Sequence, residues 1–316
     1  MKVIDLINSS KSTAFSFEIL PPLKGNSIQK VYNVIDKLIE FDPKYINITS
    51  HHSEYIYKTL PDGSFQKVNI RKRPGSVAIA SAIQNKYGIT AVPHIICKGF
   101  TKDETEYALI DLNFLGVYDL LLLRGDVKTL EAGQKTDIYH EHATDLQQQV
   151  NDFNKGIAID GSAFEANETP FSYGMACYPE KHEEAPNMDS DIFYLKEKVK
   201  NGADYLVTQM FFDNEKYYAF VDRCRAEGIT VPIIPGIKPI VFKNQLTVLP
   251  KIFRSDIPEA FATELRKCKT DDEAKAVGVE WCIQQCKDLI AHGVPSLHFY
   301  TMMASDSVYK VAKEVY

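Results

Sequence analysis

The chain has 316 residues, of which 45% are hydrophobic and 25% are charged. This composition is typical of a soluble globular protein and excludes a disordered or collagen-like chain. The formal net charge is −6 at pH 7, so nucleic acid is not an expected partner. No stretch has the roughly 18 consecutive apolar residues that a membrane span needs, and we expect a cytoplasmic protein with no membrane contact. The six cysteines form no CxxC pair, which predicts reduced, mostly buried thiols.

An amphipathic stretch, a glycine and a short apolar run recur at least five times along the chain. A glycine just past a helix supplies the left-handed C-cap, and an unbroken apolar run is typical of a parallel strand covered on both faces. The pattern therefore indicates helices that lead into parallel strands. The five glycines are Gly88, Gly116, Gly202, Gly228 and Gly293.

Three further apolar runs bring the number of predicted strands to eight. The eight predicted strands cover residues 14–20, 45–49, 91–94, 120–126, 172–178, 205–209, 231–236 and 296–301. Eight parallel strands that alternate with helices predict a (β/α)8 TIM barrel, in a single domain over residues 1–316, although a doubly wound open sheet gives a similar local pattern. No GxGxxG follows the first strand, which disfavours the open dinucleotide-binding sheet.

Two of the predicted helices have recognisable N-terminal caps. Ser190 is the predicted cap of a helix with apolar residues at positions 192, 195 and 199, and Asp213 or Asn214 is the predicted cap of the helix that ends before Gly228.

Three segments depart from the repeat. Apolar runs on either side of Pro61-Asp62-Gly63 predict a hairpin after the second strand. Residues 155–170 have no periodicity and predict a loop, and residues 252–291 predict extra helices before the last strand. Long loops at strand ends are usually functional.

Polar residues stand where six of the predicted strands end. Reacting groups of a barrel lie at the C-terminal ends of its strands, so polar residues at corresponding positions predict one functional site. They are Glu18, Thr49, His94, the run Arg124-Gly125-Asp126, Tyr178 with His182 beyond it, and Gln209.

Two of these acids are candidates for chemistry. Glu18 stands between Phe17 and Ile19, and burial there would raise its pKa and leave a proton to donate near neutral pH. This suits a general acid, and the structural alternative is a buried ion pair, for example with Arg124. Asp126 emerges from a strand next to a cation and a glycine that admits a ligand close to the backbone.

Other site chemistries are disfavoured. The histidine clusters at positions 51–52, 140–142 and 182 do not reproduce HExxH, so no metal is expected. There is no GxSxG, and the neighbours of Cys97 offer no base, so covalent acyl chemistry is not indicated. The run Arg71-Lys72-Arg73 is either an anchor for an anionic substrate tail or, as most such runs are, a solvated surface.

Seven runs at the strand ends occur in one order along the chain. They are Phe15-Ser16-Phe17-Glu18 with Pro21-Pro22, Val92-Pro93-His94, Leu123-Arg124-Gly125-Asp126, residues 176–182 (ACYPEKH), residues 208–213 (TQMFFD), Ile234-Pro235-Gly236-Ile237 and His298-Phe299-Tyr300-Thr301. Together they resemble the 5,10-methylenetetrahydrofolate reductase family. The length resembles the catalytic barrel of bacterial forms, without the regulatory domain of the animal enzymes.

The resemblance implies a barrel with non-covalent FAD that takes a hydride from NADH or NADPH. The hydride passes to methylenetetrahydrofolate and gives 5-methyltetrahydrofolate, which supplies methyl groups for methionine synthesis. Glu18 matches the family's general acid for opening the substrate's five-membered ring, and Asp126 matches an aspartate near flavin and folate. Gln209 and Gln245, with Asp126, match positions that contact folate or nicotinamide.

The resemblance also implies a set of FAD contacts, in which Lys198 is a partner for the pyrophosphate. They are Thr49, His94, Leu123, Arg124, Gly125, Asp126, His142, Ala143, Tyr178, His182, Ala185, Asp191 and Lys198. Several positions depart from the family, among them Tyr194 and Glu197, which replace an asparagine and an arginine of some bacterial forms. His142 stands where relatives often have tyrosine, and Met303-Ala304 where Asn-Arg is common, for which the run at 71–73 or Lys238 is the predicted replacement in holding the folate tail.

Two other functions remain open on the residues alone. One is another FAD-dependent barrel oxidoreductase, similar to proline dehydrogenase, and the other is a non-catalytic barrel subunit. We expect a homo-oligomer that binds methylenetetrahydrofolate and NAD(P)H. No nucleotide fingerprint selects NADH over NADPH.

Overall fold

The computed structural model describes residues 1–50, 54–97, 100–125, 138–302 and 305–316. In chain order its elements are α1 (Val3–Ser9), β1 (Ala14–Ile19), α2 (Gln29–Leu38), a 3-10 turn (Ile39–Phe41), β2 (Tyr45–Ile48), β3 (Glu54–Thr59), β4 (Phe65–Ile70), α3 (Ser76–Tyr87), β5 (Thr90–Ile96), α4 (Lys102–Phe114), β6 (Asp119–Leu123), α5 (Ala143–Asn154), β7 (Ser172–Cys177), α6 (Met188–Lys200), β8 (Tyr205–Thr208), α7 (Asn214–Ala226), β9 (Ile233–Ile234), β10 (Gly236–Ile237), α8 (Gln245–Phe253), α9 (Glu259–Lys267), α10 (Asp271–Ala291), β11 (Ser296–Tyr300) and α11 (Ser305–Val315).

The chain forms two compact units. The first comprises Met1–Ile19, Asn33–Asn47 and Ser172–Tyr316, and the second comprises Leu20–Tyr32 and Ile48–Phe171. Parallel strands alternate with helices in both units, and this confirms the predicted α/β class and its (β/α)8 barrel.

Strands of the first unit run in the orders β10-β11-β1-β2 and β7-β8-β9. In the parallel pair of β1 and β11, Phe15 lies opposite Leu297 and Glu18 opposite Tyr300. The Phe15 ring packs 5.5 Å from that of Phe299. Because successive strand residues face opposite sides, these aromatic rings and Glu18 lie on different faces of the sheet.

The seventh predicted strand is two short strands in the structure. Ile233 and Ile234 pair with β8, whereas Gly236 and Ile237 pair with β11. Pro235 stands between them and has no N–H to donate to a ladder, although its carbonyl accepts from the His298 N–H at 3.1 Å. A proline thus explains why one predicted strand becomes β9 and β10.

Helix ends follow the sequence signals with one exception. All five predicted C-cap glycines have positive φ, from 65° to 109°, as the left-handed cap requires. Asp213 caps α7 by accepting from the Glu215 N–H at 3.1 Å. The prediction for Ser190 is wrong, since α6 begins earlier and Asn187 is its cap, accepting from the Ser190 N–H at 2.8 Å.

The second unit contains the parallel pair of β5 and β6 and an antiparallel hairpin of β3 and β4. The hairpin confirms the predicted excursion, and its turn is closed by Asp62, which accepts from the Ser64 N–H at 2.9 Å. Residues 155–170 form the predicted loop, with a single isolated bridge between Ile157 and Ala163.

Three helices, α8, α9 and α10, precede the last strand, as predicted, and the first of them begins at Gln245, before the predicted segment. They share an apolar cluster with the segments after β8 and β10 that includes Phe212, Ile240, Phe261 and Leu265. This layer fixes the backbone that follows β10.

All six cysteines are free and buried, which confirms the predicted burial of the thiols. Within the described ranges, every helix is too short or too polar to serve as a membrane span.

Candidate active site

The predicted site residues divide between the two units. Glu18, Tyr178, His182, Ala185, Asp191, Lys198, Gln209 and Gln245 belong to the first, and Thr49, His94, Leu123, Arg124, Gly125, His142 and Ala143 belong to the second. Asp126 and Met303-Ala304 lie outside the described residues, as do His51 and His52.

Glu18 is buried near the end of β1, with 8% of its surface exposed. Its carbonyl oxygen accepts from the Thr301 hydroxyl at 2.6 Å, across the pair of β1 and β11. The burial predicted for this acid is confirmed. Its side chain is on the same face of the strand as Ser16, by alternation.

Lys238 lies at the level of Glu18 across the sheet. Ile237 pairs with Phe299, so Lys238 follows at the level of Tyr300, which is itself opposite Glu18. Lys238 is only 4% exposed. Burial lowers the pKa of Lys238, and the negative charge of Glu18 opposes this by raising it. A buried lysine therefore lies at the level of the candidate acid and interacts with it.

A buried histidine, His298, lies two residues before Tyr300 on β11. His298 is fully buried, and its Nδ1 is 3.0 Å from the Ser16 hydroxyl. Burial lowers the pKa of His298 to about 3, so the imidazole is neutral at physiological pH. The ring stacks on Tyr45, with the planes 2° apart and the centroids 6.4 Å apart.

The sequence analysis gave no role to Tyr300 and His298 and assigned Lys238 only to the folate tail. Period-two alternation along β11 was the available signal for the first two, because it places them on the same face. For Lys238 the signal was a lone basic residue within the apolar run from Ile234 to Ile240.

The loop after β7 is held by its own hydrogen bonds. The His182 N–H donates to Asp191 Oδ2 at 2.8 Å, and the ring of His182 meets that of Tyr178 edge to face at 4.7 Å. His182 Nδ1 accepts from the Glu184 N–H at 3.2 Å, which places the proton of the neutral ring on Nε2. The Ala185 N–H donates to the His182 carbonyl at 3.1 Å. Four residues predicted to contact FAD are thus brought together.

Lys198 reaches the same strand end from α6. Its Nζ donates to the carbonyl of Ala176 at 3.0 Å, within β7. An ammonium group and an imidazole N–H are donors from which a pyrophosphate can accept hydrogen bonds. The donor chemistry of this loop fits the phosphate portion of FAD.

Two of the three predicted folate or nicotinamide contacts, Gln209 and Gln245, lie within the described residues and differ in their surroundings. Gln209 directly follows β8, and its N–H donates to the Cys177 carbonyl at 2.8 Å, so it lies at the same sheet edge as the loop after β7. Gln245 begins α8, and its Oε1 accepts from the N–H groups of Val241 and Phe242 at 2.7 and 3.1 Å. Gln245 therefore closes the turn that follows Lys238.

In the second unit the predicted residues of this group lie in the last residues of β5 and β6 or directly after β2 and β6. His94 is buried in β5, and its carbonyl accepts from the hydroxyl of Ser50, next to Thr49. The Leu123 carbonyl accepts from the Cys97 N–H at 3.0 Å. Gly125 has φ of +86°, a conformation that favours glycine and lets a ligand approach the backbone.

His142 and Ala143 are at the N-terminus of α5. The His142 N–H donates to Asp145 Oδ2 at 2.9 Å, and Ala143 is the first residue of the helix. A helix N-terminus presents amide donors to anionic or polar ligand groups.

The basic run at 71–73 has local partners. Arg71 forms a 2.9 Å ion pair with Glu104, and Arg73 donates to the carbonyl of Pro21. Both guanidinium groups therefore help to hold α4 and the segment after β1.

Comparisons with known proteins identify the same family as the sequence motifs. A sequence profile described as "Methylenetetrahydrofolate reductase" matches residues 2–316. A 5,10-methylenetetrahydrofolate reductase of Escherichia coli is 30% identical over 94% of this chain and 88% of its own length. A probable methylenetetrahydrofolate reductase (NADPH) of Caenorhabditis elegans is 30% identical over 99% of this chain. The chain spans only 43% of that nematode relative.

A solved structure with a similar fold comes from Clostridium thermocellum. It is described as an uncharacterized protein that binds two copies of 5-methyl-5,6,7,8-tetrahydrofolic acid, and it matches with a TM-score of 0.57 at 15% identity. The match covers 98% of this chain and 96% of that one. At 15% identity, the match shows only that the two chains share a fold.

Proposed function

Because the chain belongs to the methylenetetrahydrofolate reductase family, we propose that it reduces 5,10-methylenetetrahydrofolate to 5-methyltetrahydrofolate, with NADH or NADPH as electron donor. The observation that carries the proposal is the burial of Glu18 at the end of β1. The reaction needs a proton donor at a ring nitrogen of the substrate, and a buried carboxyl group suits that task.

Glu18 donates its proton to the ring nitrogen as the carbon–nitrogen bond of the five-membered ring breaks. The carbon left behind is an electrophilic iminium, which accepts a hydride. Burial of Glu18 keeps bulk water from competing for the proton. The neutral His298 below it adds no charge that would repel the iminium cation.

Bound FAD would supply the hydride chemistry between the nicotinamide and the folate. Lys198 would hold its pyrophosphate through the ammonium group that lies at the end of β7. Tyr178, His182, Ala185 and Asp191, which lie together in the loop after β7, are further proposed FAD contacts. The remaining proposed contacts are Thr49, His94, Leu123, Arg124, Gly125, Asp126, His142 and Ala143.

Gln209 and Asp126 are the proposed side-chain contacts to folate or nicotinamide, and Gln245 is the third. Since Oε1 of Gln245 is engaged by two backbone amides, its amide nitrogen is the group that would face a ligand. The Clostridium thermocellum protein with this fold binds a methylated tetrahydrofolate, which supports a folate as the ligand class.

We further propose that residues 1–316 act as one catalytic domain in a cytoplasmic homo-oligomer. Gel filtration with light scattering measures the subunit number. A monomer at micromolar concentration would contradict the proposed assembly.

The test is an anaerobic spectral titration of the purified full chain. We expect a yellow protein whose FAD absorbance bleaches with NADH or NADPH and returns when methylenetetrahydrofolate is added, with 5-methyltetrahydrofolate as product. A flavin that bleaches but is not reoxidised by the folate would favour another FAD-dependent oxidoreductase. A colourless protein that gains no absorbance with added FAD would favour a non-catalytic subunit.

A further inference from the structure

A lysine is buried in the layer that contains the proposed general acid. On β1, Glu18 lies opposite Tyr300 of β11. Lys238, the residue after β10, lies opposite Tyr300 on the other side of β11. Neighbouring strands are about 4.8 Å apart, so the backbones of Glu18 and Lys238 are roughly 10 Å apart. Two long side chains span much of that separation.

Lys238 has an unusual environment for a lysine. It is 4% exposed, and within the described ranges its Nζ has no carboxylate oxygen within 4.0 Å and no hydrogen-bond partner. Burying an ammonium group without a direct partner is costly. A neighbouring carboxylate offsets part of this cost, and Glu18 is a carboxyl group that interacts with Lys238.

The other titratable groups that face this pair in the first unit are few. Tyr300 lies between the two, and its phenol donates to the Thr208 carbonyl at 2.6 Å. Burial raises the pKa of Tyr300, and the Glu18 charge raises it further, so it stays neutral. Cys282 of α10 also interacts with Lys238. Lys238 is therefore a basic residue of this layer that interacts with Glu18.

We propose that Lys238 is a positioning residue for Glu18, whose positive charge strengthens the acid and stabilises the carboxylate left after proton donation. In each turnover one proton leaves the Glu18 carboxyl group for the substrate nitrogen, and the carboxylate later takes one proton from water. Lys238 keeps its own protons throughout. The inference rests on the proposed function and deepens it.

The kinetic test uses Lys238→Met, which keeps the length of the side chain and removes its charge. The rate of flavin reoxidation by methylenetetrahydrofolate is measured against pH. A general acid works only while protonated, so the rate falls above its pKa. Without the cation, this alkaline limb is expected to move up by about one pH unit, while reduction by NAD(P)H is unchanged. An unmoved limb would overturn the inference.

The matched control is Lys243→Met in the same segment. Lys243 is exposed, and its Nζ donates to the carbonyl of Lys269 at 3.2 Å. Removing this charge is expected to leave the limb in place, because solvent screens exposed charges. An equal shift in both variants would show a general charge effect and contradict a specific role for Lys238.

A second measurement does not depend on activity. The ¹³Cε resonance of Lys238, assigned by its loss in Lys238→Met, is titrated in the wild type and in Glu18→Gln. We expect the lysine to titrate at lower pH in Glu18→Gln, because the carboxylate that favours the ammonium form is gone. Equal midpoints would overturn the inference. Failure of the folate assay in the wild type would instead refute the proposed function, while this titration still tests the pair.

Discussion

Replacement of Gly278 by alanine is expected to destabilise the protein, although the same change stabilises most helices. Gly278 lies inside α10, where alanine is favoured over glycine by about 1 kcal/mol. A Cβ at this position would meet the Ile240 carbonyl oxygen at 2.0 Å and its carbonyl carbon at 2.8 Å. These are backbone atoms, which cannot rotate away as a side chain could.

The size of the effect follows from these two opposing contributions. Overpacking in a filled core costs about 1–3 kcal/mol, and a contact this short with backbone belongs at the upper end. Subtracting about 1 kcal/mol of helix propensity leaves a net loss of about 2 kcal/mol in the free energy of unfolding.

Urea unfolding followed by tryptophan fluorescence measures this loss. Trp281 is the single tryptophan of the chain and lies in the same helix. Its ring stacks on Phe261 at 4.5 Å, and its Nε1 donates to the Phe212 carbonyl at 3.1 Å. Its emission therefore reports directly on the packing of α10.

The control is the reverse change at an exposed position, Ala276→Gly, in the same helix. It is expected to destabilise by about 1 kcal/mol through helix propensity alone. If Gly278→Ala instead stabilised the protein by a similar amount, α10 would not pack against Ile240 as described.

Three other predictions concern buried groups. Tyr300→Phe removes the 2.6 Å hydrogen bond to the Thr208 carbonyl and should lower the free energy of unfolding in urea by about 1–2 kcal/mol. The control Tyr309→Phe should lower it by under about 0.5 kcal/mol. Equal losses would contradict the described bond. Burial lowers the pKa of His298 to about 3 in the folded protein, so between about pH 6.5 and pH 3 the unfolded chain binds one proton more than the folded chain. The free energy of unfolding should therefore fall by roughly 1.4 kcal/mol per pH unit as the pH drops below about 6.5. Parallel pH dependences in the wild type and His298→Gln would refute this. Burial raises the pKa of Cys177 and Cys286, so a thiol reagent should label both residues only after unfolding. Labelling of the native protein as fast as that of the unfolded chain would contradict their burial.

The pattern of strands and helices was predictable because it depends on short stretches of sequence. Gly88 and Gly228 mark helix ends by a conformation that few other residues adopt. Glu18 could be singled out because its immediate neighbours are apolar. Ser190 was assigned wrongly as a cap because Asn187, three residues earlier, is an equally good one.

The interaction between Glu18 and Lys238 depends on strands that are distant in sequence. Their relation requires the register of β1, β11 and β10, which no local pattern specifies. The break at Pro235 also shifts where the seventh strand ends, so that Lys238 falls beyond it. A lysine in an apolar run was visible in the sequence, but its partner was not.

The role of Glu18 as the proton donor to the folate is tested most directly by Glu18→Gln, studied in each half-reaction by anaerobic stopped flow. Glutamine keeps the size of the side chain and cannot donate an acidic proton. We expect the variant to bind FAD and to be reduced by NAD(P)H at the wild-type rate, with reoxidation by methylenetetrahydrofolate slowed at least a hundredfold, as is typical for loss of a general acid. Reoxidation at the wild-type rate, or an equal loss in both half-reactions, would contradict the assignment.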